Sequence, residues 1–189
     1  MKMVKVIQLF KNESSLIKRA SAGNRDAQKQ IYEKHAPKML SVCRQYIKDL
    51  HHAEDTMLKG FMKVFTHLDT FKDEGSFEGW IRKIMVRESI SFLRQFKELQ
   101  FQEDDEFGHE VANNINSEMD VADIQSLIDS LPEGYKAVFV MYAVEGYKHS
   151  EIAKMLGITE GTSKSQLFKA RKMLQQKIKS NNTSSYGAN

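Results

Sequence analysis

Apolar residues in this chain return at steps of three and four, and that spacing constrains the fold more than any other feature. Met57, Leu58, Phe61, Val64, Phe65 and Leu68 obey it in one segment. Phe77, Trp80, Ile81, Ile84, Met85 and Leu93 obey it in another. Residues at such steps share one face of a helix, whereas a strand alternates strictly. The punctuation agrees. The 189 residues hold only two prolines and ten glycines, too few turn formers for a sheet-rich chain. The expected fold is all-α.

Helical segments can be laid out along the chain. "SSLIKRASAG" is a short one that ends at Gly23. Asn24 is a good N-cap for the next, which runs through Ala27, Ile31, Met39, Val42, Tyr46 and Ile47. Pro37 should kink or restart it, because the ring clashes with the preceding turn. A third covers about His52 to His67, and a fourth starts near Ser76, a second N-cap. Four such helices can close a bundle core, with Trp80 read as part of it.

The period then stops. From Glu98 to Asp123 there are nine acidic residues and no Lys or Arg. Such charge disfavours packing, so this stretch reads as a linker. The expected organisation is a first domain over residues 1–96, an acidic flexible linker over 97–119, a second domain over 120–179 and a disordered tail over 180–189. The second domain holds helical patterns at Val121–Ser130, Pro132–Val144, Ser150–Leu156 and Glu160 to about Lys179.

Charge is distributed unevenly. The net charge is only +3, yet Lys164 to Lys179 carries six basic residues and no acid. That asymmetry points to a polyanion partner for the basic end. The single cysteine, Cys43, excludes an intrachain disulfide and sits among apolar neighbours, so a buried, inert thiol is expected. Sequence neighbours on a helix do not share a face, so His51, His52, Glu54 and Asp55 read as a helix start with favourable acids, and no metal is expected. No Gly-rich phosphate loop, "HExxH" or nucleophile elbow is present, and neither an enzyme nor a cofactor is expected. The opening "MKMVKVIQLFK" is too short for a signal peptide, and no window approaches the ~20 apolar residues of a membrane helix. A cytoplasmic protein without membrane insertion is expected.

The stretch His149 to Ile178 carries the clearest motif. A short helix with Ile152, Ala153 and Leu156 ends at Gly157; Ile158 reads as a buried pin, and Thr159 as the N-cap of a second helix. This is a helix-turn-helix, whose second helix lies in the DNA major groove. Leu167, Ala170, Leu174 and Ile178 form one apolar stripe on that helix. Ser165, Lys169, Lys172 and Gln176 fall opposite; Phe168 lies about 100° and Lys164 about 60° from the stripe. The outward face is basic and hydroxylic, suited to phosphates and base edges. The competing reading is a solvated basic helix with Phe168 packed on the linker.

These residues resemble a family. "SLPEGYKAVFVMYAVEGYKHSEIAKMLGITEGTSKSQLFKAR" is similar to region 4 of the extracytoplasmic-function (ECF) sigma factors, the smallest sigma-70 type. "AGNRDAQKQIYEKHAPKML", "AEDTMLKGFMKVF" and "FEGWIRKIMVRESISFLR" resemble successive parts of region 2. The resemblance covers roughly residues 14–178. It implies a four-helix region 2 bundle and a helix-turn-helix region 4. It implies as partners core RNA polymerase (through its clamp helices and flap), promoter DNA and an anti-sigma factor, with no small-molecule substrate. It places Thr162, Lys164, Ser165, Phe168, Lys169 and Lys172 at the minus-35 element. The Phe71–Ser76 loop matches one that pockets an extruded minus-10 base, and Lys72, Ser76, Arg82, Lys83, Arg87 and Arg94 fall at the minus-10 strand. Asp55, Leu58, Lys59, Phe61 and Met62 fall at the polymerase-docking surface.

Three positions depart from the family pattern. Leu58 and Lys59 replace the usual Gln-Glu, and Lys59 reverses a charge. Arg87 replaces an Asn that contacts the minus-10 base, and arginine cannot accept a hydrogen bond. Lys148 replaces the Ser that caps the helix-turn-helix, leaving Ser150 to cap with a shifted start. Two further readings stay open: a sigma-like decoy that binds an anti-sigma factor without engaging polymerase, and a regulator that binds DNA alone. The acidic linker reads either as a spacer or as a nucleic-acid mimic inside the polymerase.

Overall fold

The computed structural model describes residues 13–72, 74–95 and 121–186. Every regular element in them is helical. Contacts divide the chain into two units, Met1–Ser89 and Ile90–Asn189. The division falls inside a helix; residue 96 and the expected linker, 97–119, lie outside the described residues.

The first unit is built from α1 (residues 13–21), α2 (Arg25–Tyr46), α3 (Leu50–Thr66) and the part of α4 (Phe77–Gln95) up to Ser89. Asn24 caps α2 as expected; its side-chain oxygen accepts from the Ala27 N–H at 2.9 Å. Pro37 does not restart the helix, which runs unbroken through it. Proline removes one donor, and the apolar face that this twenty-two-residue helix buries outweighs that loss. Asp49 caps α3 by accepting from the His52 N–H at 2.8 Å. Ser76 begins α4, with the Gly79 N–H directed at its hydroxyl at 3.3 Å.

Gly60 sets how closely α3 and α4 approach. A Cβ there would run into the thioether of Met85, which is fully buried. Lys63 and Glu88 bridge the same two helices at 2.7 Å. Lys38 on α2 pairs with Glu78 in the first turn of α4. Cys43 is buried as expected, beside Ser89, and burial pushes its thiol up to about 11, so it stays a thiol at neutral pH.

The second unit holds α5 (Val121–Asp129), α6 (Glu133–Phe139), α7 (His149–Leu156) and α8 (Glu160–Tyr186). The pattern read as one helix over Pro132–Val144 is two pieces. After α6 the coil widens into a π-turn, Val140–Val144, closed by the Glu145 N–H donating to the Val140 carbonyl at 3.0 Å. Periodicity of 3.6 cannot distinguish that widening over one turn. Lys148, not Ser150, stands at the start of α7: the Glu151 carboxylate accepts from the Lys148 N–H at 2.8 Å, which removes the need for a shifted start. Gly157 ends α7 at φ +71°, where a side chain is strained. Ile158 is half-buried, not a fully buried pin. Thr159 caps α8 by accepting from the Thr162 N–H at 3.0 Å. Residues 180–186, expected as a tail, continue α8.

This unit encloses a charge. Lys136 is fully buried, 3.1 Å from Glu133 and 3.6 Å from Asp129. Both contacts are ion pairs: Asp129 stands beyond hydrogen-bond distance, and the Glu133 contact misses hydrogen-bond alignment.

Candidate nucleic-acid interfaces

Helix α8 packs against both α6 and α7. Ser163, Gln166, Leu167 and Ala170 are buried, spanning one arc of about 100°. Leu174 and Ile178, expected on that stripe, are only half-buried. Lys164 and Lys172 are exposed, and Thr162, Phe168 and Lys169 are half-buried. Ser165 corrects the expectation. It falls outside the apolar arc by angle, yet is only 8% exposed. Its hydroxyl turns back and donates to the Thr162 carbonyl at 3.0 Å. The long side chains three and four residues on, Phe168 and Lys169, lean toward the helix N-terminus over the turn that carries it.

Sequence reasoning passed over a group beside this face. The rings of Tyr142 and His149 stack with centroids 4.6 Å apart. The Arg171 guanidinium lies 5.6 Å from the Tyr142 centroid. Nδ1 of His149 shares a 2.8 Å hydrogen bond with the Ser163 hydroxyl. Arg171 was legible as part of the basic run; the other contacts depend on the turn between α7 and α8.

The first unit carries a concave site. The short 3-10 turn Leu68–Thr70, the loop after it and the head of α4 enclose a cavity of about 350 Å³. Phe71, Lys72, Glu74, Ser76, Trp80 and Lys83 are among its lining residues. Its aromatic wall is continuous. Phe71 lies 5.1 Å from Phe77 and 5.6 Å from Trp80, and Phe77 and Trp80 stack at 5.9 Å. His35 supports Phe77 edge-on at 5.7 Å. Trp80 is therefore half-exposed at a cavity wall, which corrects its reading as core. Phe77 in the same turn is buried; Trp80 stacks on that ring and faces the cavity.

Of the cations expected here, Lys72 and Lys83 reach the cavity with Ser76. Lys83, Arg87 and Arg94 are exposed and lie within about 40° of one another around α4. Arg82 lies about 100° from Lys83 and is half-buried, on the side of Glu78. The Glu78 carboxyl is held below the usual carboxylate range, chiefly by a hydrogen bond from Lys38 and in small part by Arg82.

A third surface lies on α3. Asp55, Leu58, Lys59 and Met62 share an arc of about 100° and are exposed, Leu58 at 48% and Met62 at 69%. Phe61 does not join them. It lies about 100° from Met62, is 2% exposed, and meets Tyr32 edge-on at 4.9 Å. It is a core residue that anchors α3 to α2.

Comparison with known proteins places this architecture. Residues 31–98 match Sigma-70 region 2, and residues 122–174 match Sigma-70, region 4. The chain belongs to the sigma-70 family, as an ECF-type sigma factor. It is 25% identical over 177 residues to the ECF RNA polymerase sigma factor SigW of Bacillus subtilis, covering 86% of this chain and 95% of that protein. RNA polymerase sigma factor SigV of the same organism is 26% identical over 141 residues, covering 75% and 84%. The ECF RNA polymerase sigma factor SigE of Mycolicibacterium smegmatis is 26% identical over 153 residues and covers 77% of this chain, which spans 59% of that longer protein. Among solved structures, the sigma factor RpoE of Bartonella quintana, in complex with the anti-sigma factor NepR, shares the fold at TM-score 0.52 and 23% identity, covering 80% of this chain and 96% of that one. Among the described residues no helix is long and apolar enough to cross a membrane.

Proposed function

We propose that this sigma factor binds core RNA polymerase and directs it to promoters, with the outward face of α8 on the minus-35 element and the cavity at the head of α4 on the minus-10 element. One observation carries the reading. A cavity walled by Trp80 and Phe71 and rimmed by Lys72 and Lys83 precedes, in the same chain, a capped helix exposing Lys164 and Lys172. The cavity suits one unstacked base, because aromatic walls stack it and cations hold the backbone beside it. Lys83, Arg87 and Arg94 extend that rim along α4. The exposed Leu58 and Met62, with Asp55 and Lys59, are assigned to polymerase docking. An anti-sigma factor is the proposed regulator, the class of partner seen with the Bartonella relative. The functional division is residues 1–96 for docking and minus-10 opening and 120–179 for the minus-35 element.

Run-off transcription with purified core polymerase and a cognate promoter tests this. Specific transcripts are expected. Absence of polymerase binding alongside capture of an anti-sigma factor would establish the decoy, which the charge reversal at Lys59 favours. Lys169→Ala should weaken promoter binding and reduce its salt dependence, since one phosphate contact contributes about one unit of slope. Unchanged binding would assign the wrong face.

A further inference from the structure

The helix-turn-helix depends on the angle between α7 and α8, and one polar contact crosses it at the recognition end. His149 is the first residue of α7. Ser163 lies in the first turn of α8 and is fully buried. Their 2.8 Å hydrogen bond spans fourteen residues of sequence and joins the start of one helix to the start of the other. The second face of the contact is aromatic: the imidazole lies at 22° to the Tyr142 ring in the π-turn. The imidazole therefore ties three elements at one point. Ser163 lies between Thr162 and Lys164, two residues assigned to the minus-35 element. A shift at Ser163 moves both.

We propose that His149 is a positioning residue for DNA recognition, which sets the first turn of α8 through Ser163 while Tyr142 fixes its ring plane. The inference rests on the reading of α8 as the minus-35 helix. It concerns a residue that touches no base and works through another.

The surroundings favour the uncharged ring. Burial acts first, holding the imidazole below the ordinary histidine range, and Lys164 acts next. Arg171 adds to Lys164, and Glu160 opposes them. From the π-turn the facing titratable group is Tyr142, and in the first turn of α7 itself Glu151 accepts from the Lys148 amide. The N-terminus of α7 also disfavours a cation, because its free N–H groups carry positive partial charge. Protonation would place an N–H on both ring nitrogens, so that Nδ1 could only donate to the Ser163 hydroxyl, and would set a cation beside Lys164 and Arg171. Recognition by α8 should then weaken as pH falls.

The experiment uses the full-length protein with core polymerase and two DNA probes, a promoter and the same promoter with a scrambled minus-35 element. His149→Phe keeps a ring for Tyr142 and removes the hydrogen bond. Ser163→Ala removes the other partner. Each should reduce discrimination between the probes by about five- to tenfold, the scale of one hydrogen bond, with little change on the scrambled probe. The double variant should lose no more than either single one. His149→Asn, whose amide can replace Nδ1, should recover part of the loss. Between about pH 7.5 and 5.5 wild-type discrimination should fall, while the His149→Phe profile is flat by comparison. Discrimination unaffected by both single changes overturns the proposal, as does additivity in the double variant. Wild-type discrimination that rises on acidification also overturns it, since that is the sign of a protonated His149 on a phosphate. If wild type does not distinguish the probes at all, the assignment of α8 fails and the positioning role falls with it.

Discussion

The face on α8 and the site at the head of α4, both proposed to take nucleic acid, have opposite constructions. The first is convex, and its cations stand on a single helix. The second is concave and is assembled from a 3-10 turn, a loop and a helix start. The helix face persists wherever the helix persists. The cavity exists only while Phe71, Phe77 and Trp80 hold one another in place. Their interiors differ too. The first unit buries apolar side chains with a thiol paired to Ser89, whereas the second encloses Lys136 between two carboxylates. Shape holds one unit together, and charge pairing contributes to the other.

The contrast is broken most directly at Lys136. Lys136→Met removes the cation from between Asp129 and Glu133 and should cost about 3–5 kcal/mol, whereas replacing Lys136, Asp129 and Glu133 together with apolar residues of similar size should be nearly neutral or stabilising. Urea unfolding followed by circular dichroism reads both. Trp80 is the sole tryptophan and lies in the first unit, so its fluorescence transition should not move. A Met variant as stable as wild type would mean that the buried pairing contributes nothing.

The next largest effect separates the two nucleic-acid sites. Trp80→Ala should weaken strand opening at the minus-10 element by about 1–3 kcal/mol, the range of one base–aromatic stack. Binding of a minus-35 duplex should be untouched. Opening can be followed with a fluorescent base analogue in the minus-10 strand. Equal losses on both probes would make Trp80 a fold residue only.

Single cations should give smaller and separable changes. Lys164→Ala should lower the salt slope on the minus-35 duplex by about 0.9, and Lys83→Ala the slope on a minus-10 single strand by about 0.7. Each should leave the other probe alone. Crossed effects would dissolve the division of labour.

The smallest expected effect is at His35, beneath the cavity's aromatic wall. Burial first, then Lys34 and Lys38, hold its imidazole below the ordinary histidine range, against Glu13 and Glu78. Its folded value lies below its unfolded one, so its contribution is complete above about pH 6.5 and is lost as pH falls through the folded value. Thermal unfolding of wild type should steepen with acidification, and His35→Asn should flatten that slope. Parallel pH profiles would remove His35 from the account.

Much of this was legible from local rules. Asn24, Ser76 and Thr159 cap the helices they precede, because capping needs only a short acceptor side chain and the next three residues. Angle counting placed Lys164 and Lys172 outward correctly. Motif position failed at Phe61, and angle counting failed at Ser165. Phe61 was assigned by motif position to a surface, but its angle puts it toward Tyr32. Ser165 stands at an outward angle, and a short side chain between longer ones is buried all the same. Trp80 failed in the other direction, since hydrophobicity alone does not distinguish a core ring from a cavity wall.

The sequence by itself determined the helices, their caps, the order of two domain patterns and the sign of charge on α8. Those follow from spacing and neighbours within a few residues. Only the tertiary structure decided the cavity between Phe71 and Trp80, the burial of Lys136 and the contact of His149 with Ser163. Each of these joins elements separated by a loop or a turn. Their geometry is set by how helices cross and how closely Gly60 and its like allow them to approach, and helical periodicity carries no record of that.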